Sequence, residues 1–351
     1  MNEAPYTSVP DAGIEKLLNR VLPEIAGEIG MLRLPHLRAV VLGGGYGRGE
    51  GGVLHAPSGS RLYNDLDFFV FSEGADAGDS VRIDAALQEL SVRWGEKLGI
   101  AADFGPVKNL SSLRRVAPTL MFQELLRGWK PVWGDADLRK WIPMLPASEL
   151  PYSEAVRLLL NRGMGLAFAG EYLKSGRDDS DFIVRNMNKA VLGSGDALLI
   201  ASGGYCWSAG ERVSACAEYL REAGLPSEYA RMYENAFRWK REPEPVLPSD
   251  PAGAWRKCRR FYLDSVAQCA GVPAGAAVKR VAEGVHRRAA KEKSLKNALR
   301  WFRRSCSPRP PFMFFDPPVL TVLNMLYAVL AESDGYADVP GRLLRLWRVF
   351  N

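Results

Sequence analysis

The fold of this 351-residue chain is decided by two stretches, VLGGGYGRGEGG at residues 41–52 and NDLDFFVF at residues 64–71. The apolar residues 39–42 predict a buried strand that runs into the glycines, and residues 66–71 predict a second strand. Glycine N–H groups and carboxylates at a strand end are groups that hold a phosphate and a metal ion. Together the two stretches predict a nucleotide-phosphate and metal site.

Asp65 and Asp67 share one face of the second predicted strand, because side chains alternate between the faces of a sheet. Two like charges at the start of an apolar strand repel each other and lose hydration unless a cation or solvent compensates them. Mg²⁺ favours one or two carboxylates together with substrate phosphates, so we expect both aspartates to be its ligands. The alternative is a pair of solvated charges at an ordinary sheet edge.

Seven glycines lie within residues 43–52. Glycine adopts positive φ without strain and lets the backbone approach a ligand, so we expect N–H groups of this segment to face phosphate oxygens. A flexible surface loop is the alternative. Two other phosphate motifs do not fit, because Arg48 occupies the third glycine position of the dinucleotide-binding pattern and no Gly-Lys-Ser/Thr follows to form a Walker loop.

The order of these motifs resembles the nucleotidyltransferase superfamily, which has the DNA-polymerase-β-like fold. In that family a strand ends in Gly-Ser or Gly-Gly, often continues as x-Ala-Arg-Gly-Glu, and is followed on the next strand by Ser-Asp-x-Asp. Here residues 44–50 match the first part and residues 64–67 match the second. Gly45 stands where many members carry serine, so a backbone amide alone would hold the phosphate there.

The resemblance also implies a third carboxylate on a later strand. Asp103 supplies it, in the short apolar run 100–107 that follows a predicted helix at 80–98. In the superfamily this residue is either a metal ligand or the general base that deprotonates the attacking hydroxyl. The alternative is that Asp103 simply turns the chain before Gly105 and Pro106.

The resemblance extends over about residues 35–137, because residues 120–135 resemble the family's closing helix and strand. Residues 51–64 look like an inserted loop that could serve as a substrate flap. After the proline- and serine-bearing stretch 143–151 the signals become helical, and we place a domain boundary near residue 148. The predicted domains are a nucleotidyltransferase-like catalytic domain at 1–148 and a helical domain at 149–351.

The predicted fold class is an α/β (α+β) domain with a short mixed sheet, followed by an all-α helical bundle. Helical spacing of apolar residues begins after Ser153. Further helices are predicted at 180–203, 207–223, 227–239, 252–270, 275–304 with a break, and 318–332.

This layout is similar to that of aminoglycoside-type nucleotidyltransferases, in which a helical bundle forms one side of the acceptor site. That resemblance implies that Lys189, in the predicted helix 180–203, reaches the nucleotide phosphates, with Arg185 one turn earlier on the same face. The alternative is that both are solvated residues of an amphipathic helix, since lysine is mostly exposed.

The composition is typical of a globular protein, with 47% hydrophobic and 25% charged residues. Residues 1–5 lack the basic start and apolar core of a leader, and no run of about eighteen apolar residues occurs, so we expect a cytoplasmic protein without a membrane partner. Five widely spaced cysteines indicate reduced thiols. The three histidines lack metal-ligand spacing, which disfavours zinc-hydrolase and serine-histidine chemistry.

The net charge is +6, and the positive excess lies in the helical half, where aromatic residues are interleaved with basic ones. Basic and aromatic side chains together suit nucleic acid. The alternative is a solvated basic face on helices whose aromatic residues pack inward. The aromatic residues concerned are Trp255, Phe261, Tyr262, Trp301 and Phe302.

These expectations combine into one function, the metal-dependent transfer of a nucleoside monophosphate from a nucleoside triphosphate, with ATP the expected donor, to a hydroxyl acceptor with release of pyrophosphate. The acceptor is a small hydroxylated molecule, a protein side chain or an RNA end. Asp103 is either a ligand of the second of two Mg²⁺ ions or the base. The implied catalytic and metal residues are Asp65, Asp67 and Asp103, and the implied phosphate-binding residues are Gly44, Gly45, Arg48 and Lys189.

Two other functions stay open. One is a catalytically degenerate nucleotide-binding or antitoxin-like regulatory module, favoured by Gly45 in place of serine. The other is an RNA-binding protein that acts through its basic helices, which predicts strongly salt-dependent binding that does not need Asp65 or Asp67.

Overall fold

A computed structural model describes residues 5–115, 119–305, 313–332, 336 and 338–350. The protein is α+β, with a small mixed sheet and many helices, and it divides into two compact units. The sheet unit comprises Met1–Leu145 and Arg238–Glu244, and the helical unit comprises Pro146–Phe237 and Pro245–Asn351. The segment Arg238–Glu244 lies beyond the predicted boundary near residue 148 and groups with the sheet unit.

The sheet unit contains seven strands and five helices in its described part. In chain order they are α1 (Ala12–Met31), β1 (Leu37–Leu42), α2 (Gly44–Gly47), β2 (Val53–Ala56), β3 (Gly59–Leu62), β4 (Leu66–Ser72), α3 (Ala77–Leu98), β5 (Ala102–Phe104), β6 (Lys108–Asn109), α4 (Leu110–Leu113), α5 (Leu120–Leu125) and β7 (Lys130–Gly134), followed by a 3-10 turn at Leu138–Lys140.

All described elements of the helical unit are helices. After a 3-10 turn at Ala147–Glu149 they are α6 (Tyr152–Ser175), α7 (Ser180–Ser202), α8 (Ala209–Glu222), α9 (Glu228–Arg241, whose last residues group with the sheet unit), α10 (Pro251–Cys269), α11 (Val278–Arg288), a 3-10 turn at Ala290–Glu292, α12 (Leu295–Ser305), α13 (Pro318–Glu332) and α14 (Gly341–Phe350).

The main sheet has the order β5-β4-β1-β7, and β6 also pairs with β4. β1 is antiparallel to β4 and β7, whereas β4 is parallel to β5 and β6, so the predicted mixed sheet is confirmed. β2 and β3 form a separate antiparallel hairpin. The prediction of a loop at 51–64 was therefore wrong, because most of this segment forms a hairpin. Gly59, with a φ of +110°, follows the tight turn and pairs with Ala56.

From Leu66 to Val70, β4 alternates between buried and half-buried residues, which distinguishes the two faces of the sheet. Leu66, Phe68 and Val70 join a hydrophobic core with the apolar sides of α1 and α3. On the opposite face, Phe69 and Phe71 pack into a second core that includes Leu125 of α5. Asp67 lies on this second face because it has the same parity as Phe69 and Phe71.

The predicted helices of the C-terminal half are confirmed with small shifts at their ends. The predicted break within 275–304 lies between α11 and α12, where a 3-10 turn intervenes. Helices α1 and α14 were not predicted from sequence. Among the described helices, none has the length and apolar character that a membrane span requires.

The aromatic residues of the basic region are mostly core residues. Trp255, Phe261, Tyr262 and Trp301 are fully buried, whereas Phe302 is half exposed. The inward-packing alternative is therefore confirmed for four of the five rings. Cysteines 206, 216, 258 and 269 are free thiols, as predicted, and Cys306 lies outside the described residues.

Candidate active site

The glycine-rich segment is a structured turn that joins β1 to α2. The Gly43 N–H donates to the Asp67 carbonyl at 2.8 Å and so attaches the turn to β4. The Gly43 carbonyl in turn accepts from the Gly47 N–H at 2.8 Å. Because the first N–H groups of a helix have no intrahelical acceptor, the amides of Gly44 and Gly45 remain available to a ligand.

Gly44 places the turn directly against the Asp67 carboxylate. Its φ of +59° lies in the left-handed region that favours glycine. A Cβ at Gly44 would lie 1.9 Å from Asp67 Oδ2, closer than any real contact. Position 44 therefore requires glycine on two independent grounds, and the absence of a side chain lets the Asp67 carboxylate approach the backbone.

Asp67 and Asp103 are cross-strand neighbours. They are register partners in the parallel pairing of β4 with β5, so their side chains project from the same face of the sheet about 5 Å apart at the backbone. The next pair, Phe68 and Phe104, stacks on the opposite face with ring centroids 4.5 Å apart. Asp67 is half-buried and Asp103 is exposed, so solvent and a substrate can reach this pair.

Asp65 precedes β4 by one residue and is half-buried. It lies close enough to Tyr46 for its charge to contribute to the raised pKa of that phenol, about 12, although burial is the main cause. The buried Tyr46 hydroxyl donates to the Gly52 carbonyl at 2.9 Å and accepts from the Tyr63 N–H at 3.0 Å. These bonds connect the glycine segment to the residues just before Asp65.

Arg48 is held between two carboxylates. Its guanidinium lies 3.2 Å from Glu50 and 3.3 Å from Glu124, and its side chain is 16% exposed. Lys240 adds a second cation 3.5 Å from Glu50. Arg48 was predicted to offset phosphate charge, and in this structure it is in ion pairs that fix the end of the glycine segment.

The segment Arg238–Glu244 is the part of the site that sequence reasoning missed. Besides the Lys240 ion pair, the Trp239 ring meets the Tyr63 ring edge to face at 5.5 Å. A Cβ at Gly52 would lie 2.6 Å from the Lys240 carbonyl, which shows how closely the two backbones approach. The only sequence signal was the basic end of α9, and basic residues there are ordinary at a helix C-terminus.

Lys189 and Arg185 lie one turn apart on α7 in the helical unit, and both are half-buried. Arg185 forms an ion pair with Asp181, one turn earlier. Within the sheet unit, the predicted site residues lie at the end of β1, the start of β4 and the neighbouring β5. The contribution of Lys189 to phosphate binding remains a prediction.

Among the described residues, no group of three or more histidine, cysteine, aspartate or glutamate side chains is arranged as a preformed metal centre. The donors that do lie together fit Mg²⁺, which combines one or two carboxylates with substrate phosphates. Asp67 and Asp103 provide two adjacent carboxylates, and the absence of a Cβ at position 44 lets the Asp67 carboxylate lie against the glycine backbone.

Comparison of the chain with protein-family models, with curated proteins and with solved structures gave no match. Function is therefore argued from the site itself, since chemistry resides in specific residues and their geometry.

Proposed function

We propose that the sheet unit is a metal-dependent nucleotidyltransferase, which moves a nucleoside monophosphate from a nucleoside triphosphate to a hydroxyl and releases pyrophosphate. The observation that carries the proposal is the contact of Gly44 with Asp67, together with the pairing of Asp67 with Asp103. The Gly44 backbone lies against the Asp67 carboxylate, and Asp103 is the neighbour of Asp67 on the adjacent strand. Such an arrangement is suited to a phosphate that is bridged to the protein by a cation.

Asp65, Asp67 and Asp103 would hold up to two Mg²⁺ ions, which when bound neutralise the triphosphate and favour departure of pyrophosphate. The amides of Gly44 and Gly45 would donate to outer phosphate oxygens. The backbone amide at Gly45 serves where many nucleotidyltransferases use serine. ATP is the expected donor, and the cytoplasm, where nucleoside triphosphates are abundant, is the compartment that the reaction requires.

Asp103 is the exposed member of the carboxylate group and so is accessible to an acceptor. In the proposed reaction the acceptor oxygen bonds to the α-phosphorus, the bond from that phosphorus to the bridging oxygen breaks, and pyrophosphate leaves with the bridging oxygen. Where Asp103 is the general base, the hydroxyl proton passes to its carboxylate, and where Asp103 is instead a ligand of the second Mg²⁺, the proton passes to solvent. Lys189 would offset charge on the departing pyrophosphate, and Arg48 would act indirectly by holding the glycine segment.

The decisive experiment is calorimetric titration of ATP, CTP, GTP and UTP into the protein with Mg²⁺ and with EDTA. The test variant carries Asp65→Asn and Asp67→Asn. The matched control carries Asp135→Asn and Asp178→Asn, which remove two exposed carboxylates outside the site. We expect Mg²⁺-dependent binding of one triphosphate by the wild type and the control, and at least tenfold weaker binding by the test variant.

Absence of triphosphate binding under both conditions would contradict the proposal. Binding without formation of pyrophosphate in the presence of candidate small-molecule, protein and RNA acceptors would favour the degenerate regulatory module. The RNA-binding alternative loses support from the burial of four of the five aromatic rings, because stacking on bases requires exposed faces.

A further inference from the structure

The helical unit contains a cavity of about 460 Å³ between α10, α13 and the chain that enters α11. Its wall includes Arg256, Arg259 and Arg260 of α10. At spacings of three and four residues these arginines lie on one face of the helix, where like charges repel each other. A cluster of this kind weakens an isolated helix, and an anionic group bound at the cavity would offset the repulsion.

The three arginines differ in how they are held. Arg259 donates from Nε to the Leu330 carbonyl at 2.7 Å, which anchors it to the last turn of α13. Arg256 and Arg260 are exposed and form no ion pair with any residue in the described part of the chain. Two guanidinium groups, each with a planar array of donors, are thus available at the cavity.

The start of α11 also lines the cavity, and no side chain caps its first N–H groups. Ala277 occupies the N-cap position and has no side chain that can accept a hydrogen bond, and residues 275–278 line the cavity. The preceding helix α10 shows the usual arrangement, in which Asp250 accepts from the Gly253 N–H at 2.8 Å. The uncapped N–H groups of α11 add positive potential to that of the arginines.

Two carboxylates also line the cavity, and they do not cancel its positive character. Asp264 is buried and accepts a hydrogen bond from the Tyr229 hydroxyl. Glu332 is exposed at the end of α13. The balance of side chains is three cations against two anions, one of which is already engaged, and the dipole of α11 adds to the positive side.

We propose that this cavity binds the phosphate or polyphosphate group of a small molecule. Arg256 and Arg260 would provide charge-assisted hydrogen bonds, and the first N–H groups of α11 would bind the remaining oxygens. The proposal does not depend on nucleotidyl transfer, because all of its residues belong to the helical unit.

The first test is calorimetric titration of inorganic phosphate and pyrophosphate in EDTA, which removes any metal-dependent binding at the sheet unit. The variants are Arg256→Ala with Arg260→Ala, and a control with Arg287→Ala and Arg303→Ala, which removes two exposed arginines away from the cavity. We expect micromolar to millimolar pyrophosphate binding that is at least tenfold weaker in the cavity variant and unchanged in the control.

The second test is Ala277→Asp, whose two expected effects have opposite signs. The φ of −55° and ψ of 145° at Ala277 suit an N-cap, so a carboxylate there should cap α11 and raise the midpoint of thermal unfolding. The same carboxylate should weaken pyrophosphate binding at least tenfold, because it occupies the donors and repels the anion. Misfolding cannot produce this combination, since it would lower the midpoint.

Three outcomes would overturn the proposal. The first is the absence of anion binding by the wild type, and the second is equal affinity in the cavity and control variants. The third is binding of a single-stranded RNA, lost in the cavity variant, without binding of phosphate or pyrophosphate, which would assign the arginines to nucleic acid.

Discussion

Two candidate-site carboxylates of the sheet unit and two buried carboxylates of the helical unit are held in different ways. In the sheet unit the side chains of Asp65 and Asp103 form no hydrogen bond or ion pair with another described residue, and Asp103 is adjacent to a second carboxylate, Asp67. In the helical unit Asp264 is buried and accepts from a tyrosine hydroxyl. Asp316 is also buried, and it pairs with a histidine at 2.7 Å.

The difference separates carboxylates that stabilise the fold from carboxylates that have no structural partner. A buried acid with a close donor stabilises the fold, because removal of the acid leaves the donor without a partner. Adjacent acids on an open sheet face repel each other and do not stabilise the fold. This contrast supports the proposed ligand role of Asp65 and Asp103, whereas Asp264 and Asp316 are explained by packing.

Gly44→Ala should have the largest effect on stability and on binding, because it disrupts the contact between the Gly44 backbone and the Asp67 carboxylate. The positive φ alone costs about 1–2 kcal/mol for a residue with a Cβ. The overlap with Asp67 should add about 1–3 kcal/mol through displacement of the carboxylate. We expect a loss of about 3 kcal/mol in the free energy of unfolding by urea, and loss of Mg²⁺-dependent triphosphate binding.

The matched control for that substitution is Gly99→Ala, at the end of α3. Gly99 has a similar φ of +68°, but no atom lies within 4 Å of the Cβ position. In Gly99→Ala only the backbone strain should lower the free energy of unfolding, by about 1 kcal/mol, and nucleotide binding should be kept. If the two substitutions lowered the free energy of unfolding equally, the contact between Gly44 and Asp67 would make no contribution beyond backbone strain.

Asp264→Ala compared with Asp65→Ala tests the contrast between the units directly. Loss of Asp264 leaves the buried Tyr229 hydroxyl without its acceptor, so we expect the free energy of unfolding to fall by about 2–3 kcal/mol. Asp65→Ala should change it by less than about 0.5 kcal/mol, because it removes no hydrogen bond. Chemical denaturation at pH 7 without Mg²⁺ measures both, and a large loss at Asp65 would assign that residue a structural role.

The faces of β4 were predictable from sequence, because alternation is a local property. The spacing of Asp65, Asp67 and Phe69 was sufficient to place them away from Leu66 and Phe68, and burial confirms this. The pairing of Asp67 with Asp103 depends on strand register, for which the sequence offered only the family resemblance.

In the glycine segment, the sequence predicted a glycine-rich turn but not the separate structural role of each glycine. We expected glycines that confer freedom of φ, yet within residues 43–52 only Gly44 and Gly49 have positive φ. Gly47 and Gly51 are needed for close packing instead, since a Cβ would lie 2.4 Å from the Leu42 carbonyl and 2.1 Å from the Tyr46 ring. Such contacts depend on neighbours that the local sequence does not identify.

Two elements show where prediction from sequence stopped. Helix α1 has readable signals, with Asp11 as its N-cap and buried apolar residues at helical spacing, but Pro23 interrupts the pattern. The return of Arg238–Glu244 to the sheet unit had no such signal. Lys240 and Glu50 are far apart in the chain, and nothing in either local sequence indicates the other.

Tyr46→Phe should have a smaller, pH-dependent effect. The substitution leaves the Gly52 carbonyl and the Tyr63 N–H without the hydroxyl, so the free energy of unfolding should fall by about 2 kcal/mol at pH 8. The folded-state pKa of about 12 lies above the ordinary value near 10, so folding favours the neutral phenol. Its stabilisation is fully present below pH 10 and is lost between pH 10 and 12.

The difference between the wild type and Tyr46→Phe should therefore shrink as pH rises from 9 to 11.5. Urea denaturation across that range measures it, and comparison with the variant removes the contribution of the other buried tyrosines. A difference that stays constant with pH would show that the Tyr46 phenol ionises as readily in the folded protein as in the unfolded chain.

Lys240→Met should have the smallest effect on stability. Lys240 is about one quarter exposed and Glu50 also pairs with Arg48, so loss of the lysine should lower the free energy of unfolding by less than about 1 kcal/mol. The effect of Lys240→Met on triphosphate affinity should be measured together with that of Lys189→Met, because the two lysines belong to different units. Lys240 belongs to the sheet unit, where it pairs with Glu50, and Lys189 belongs to the helical unit. A loss of affinity confined to Lys189→Met would mean that the helical unit supplies the phosphate-binding cation. A loss confined to Lys240→Met would instead place both the carboxylates and the cation in the sheet unit.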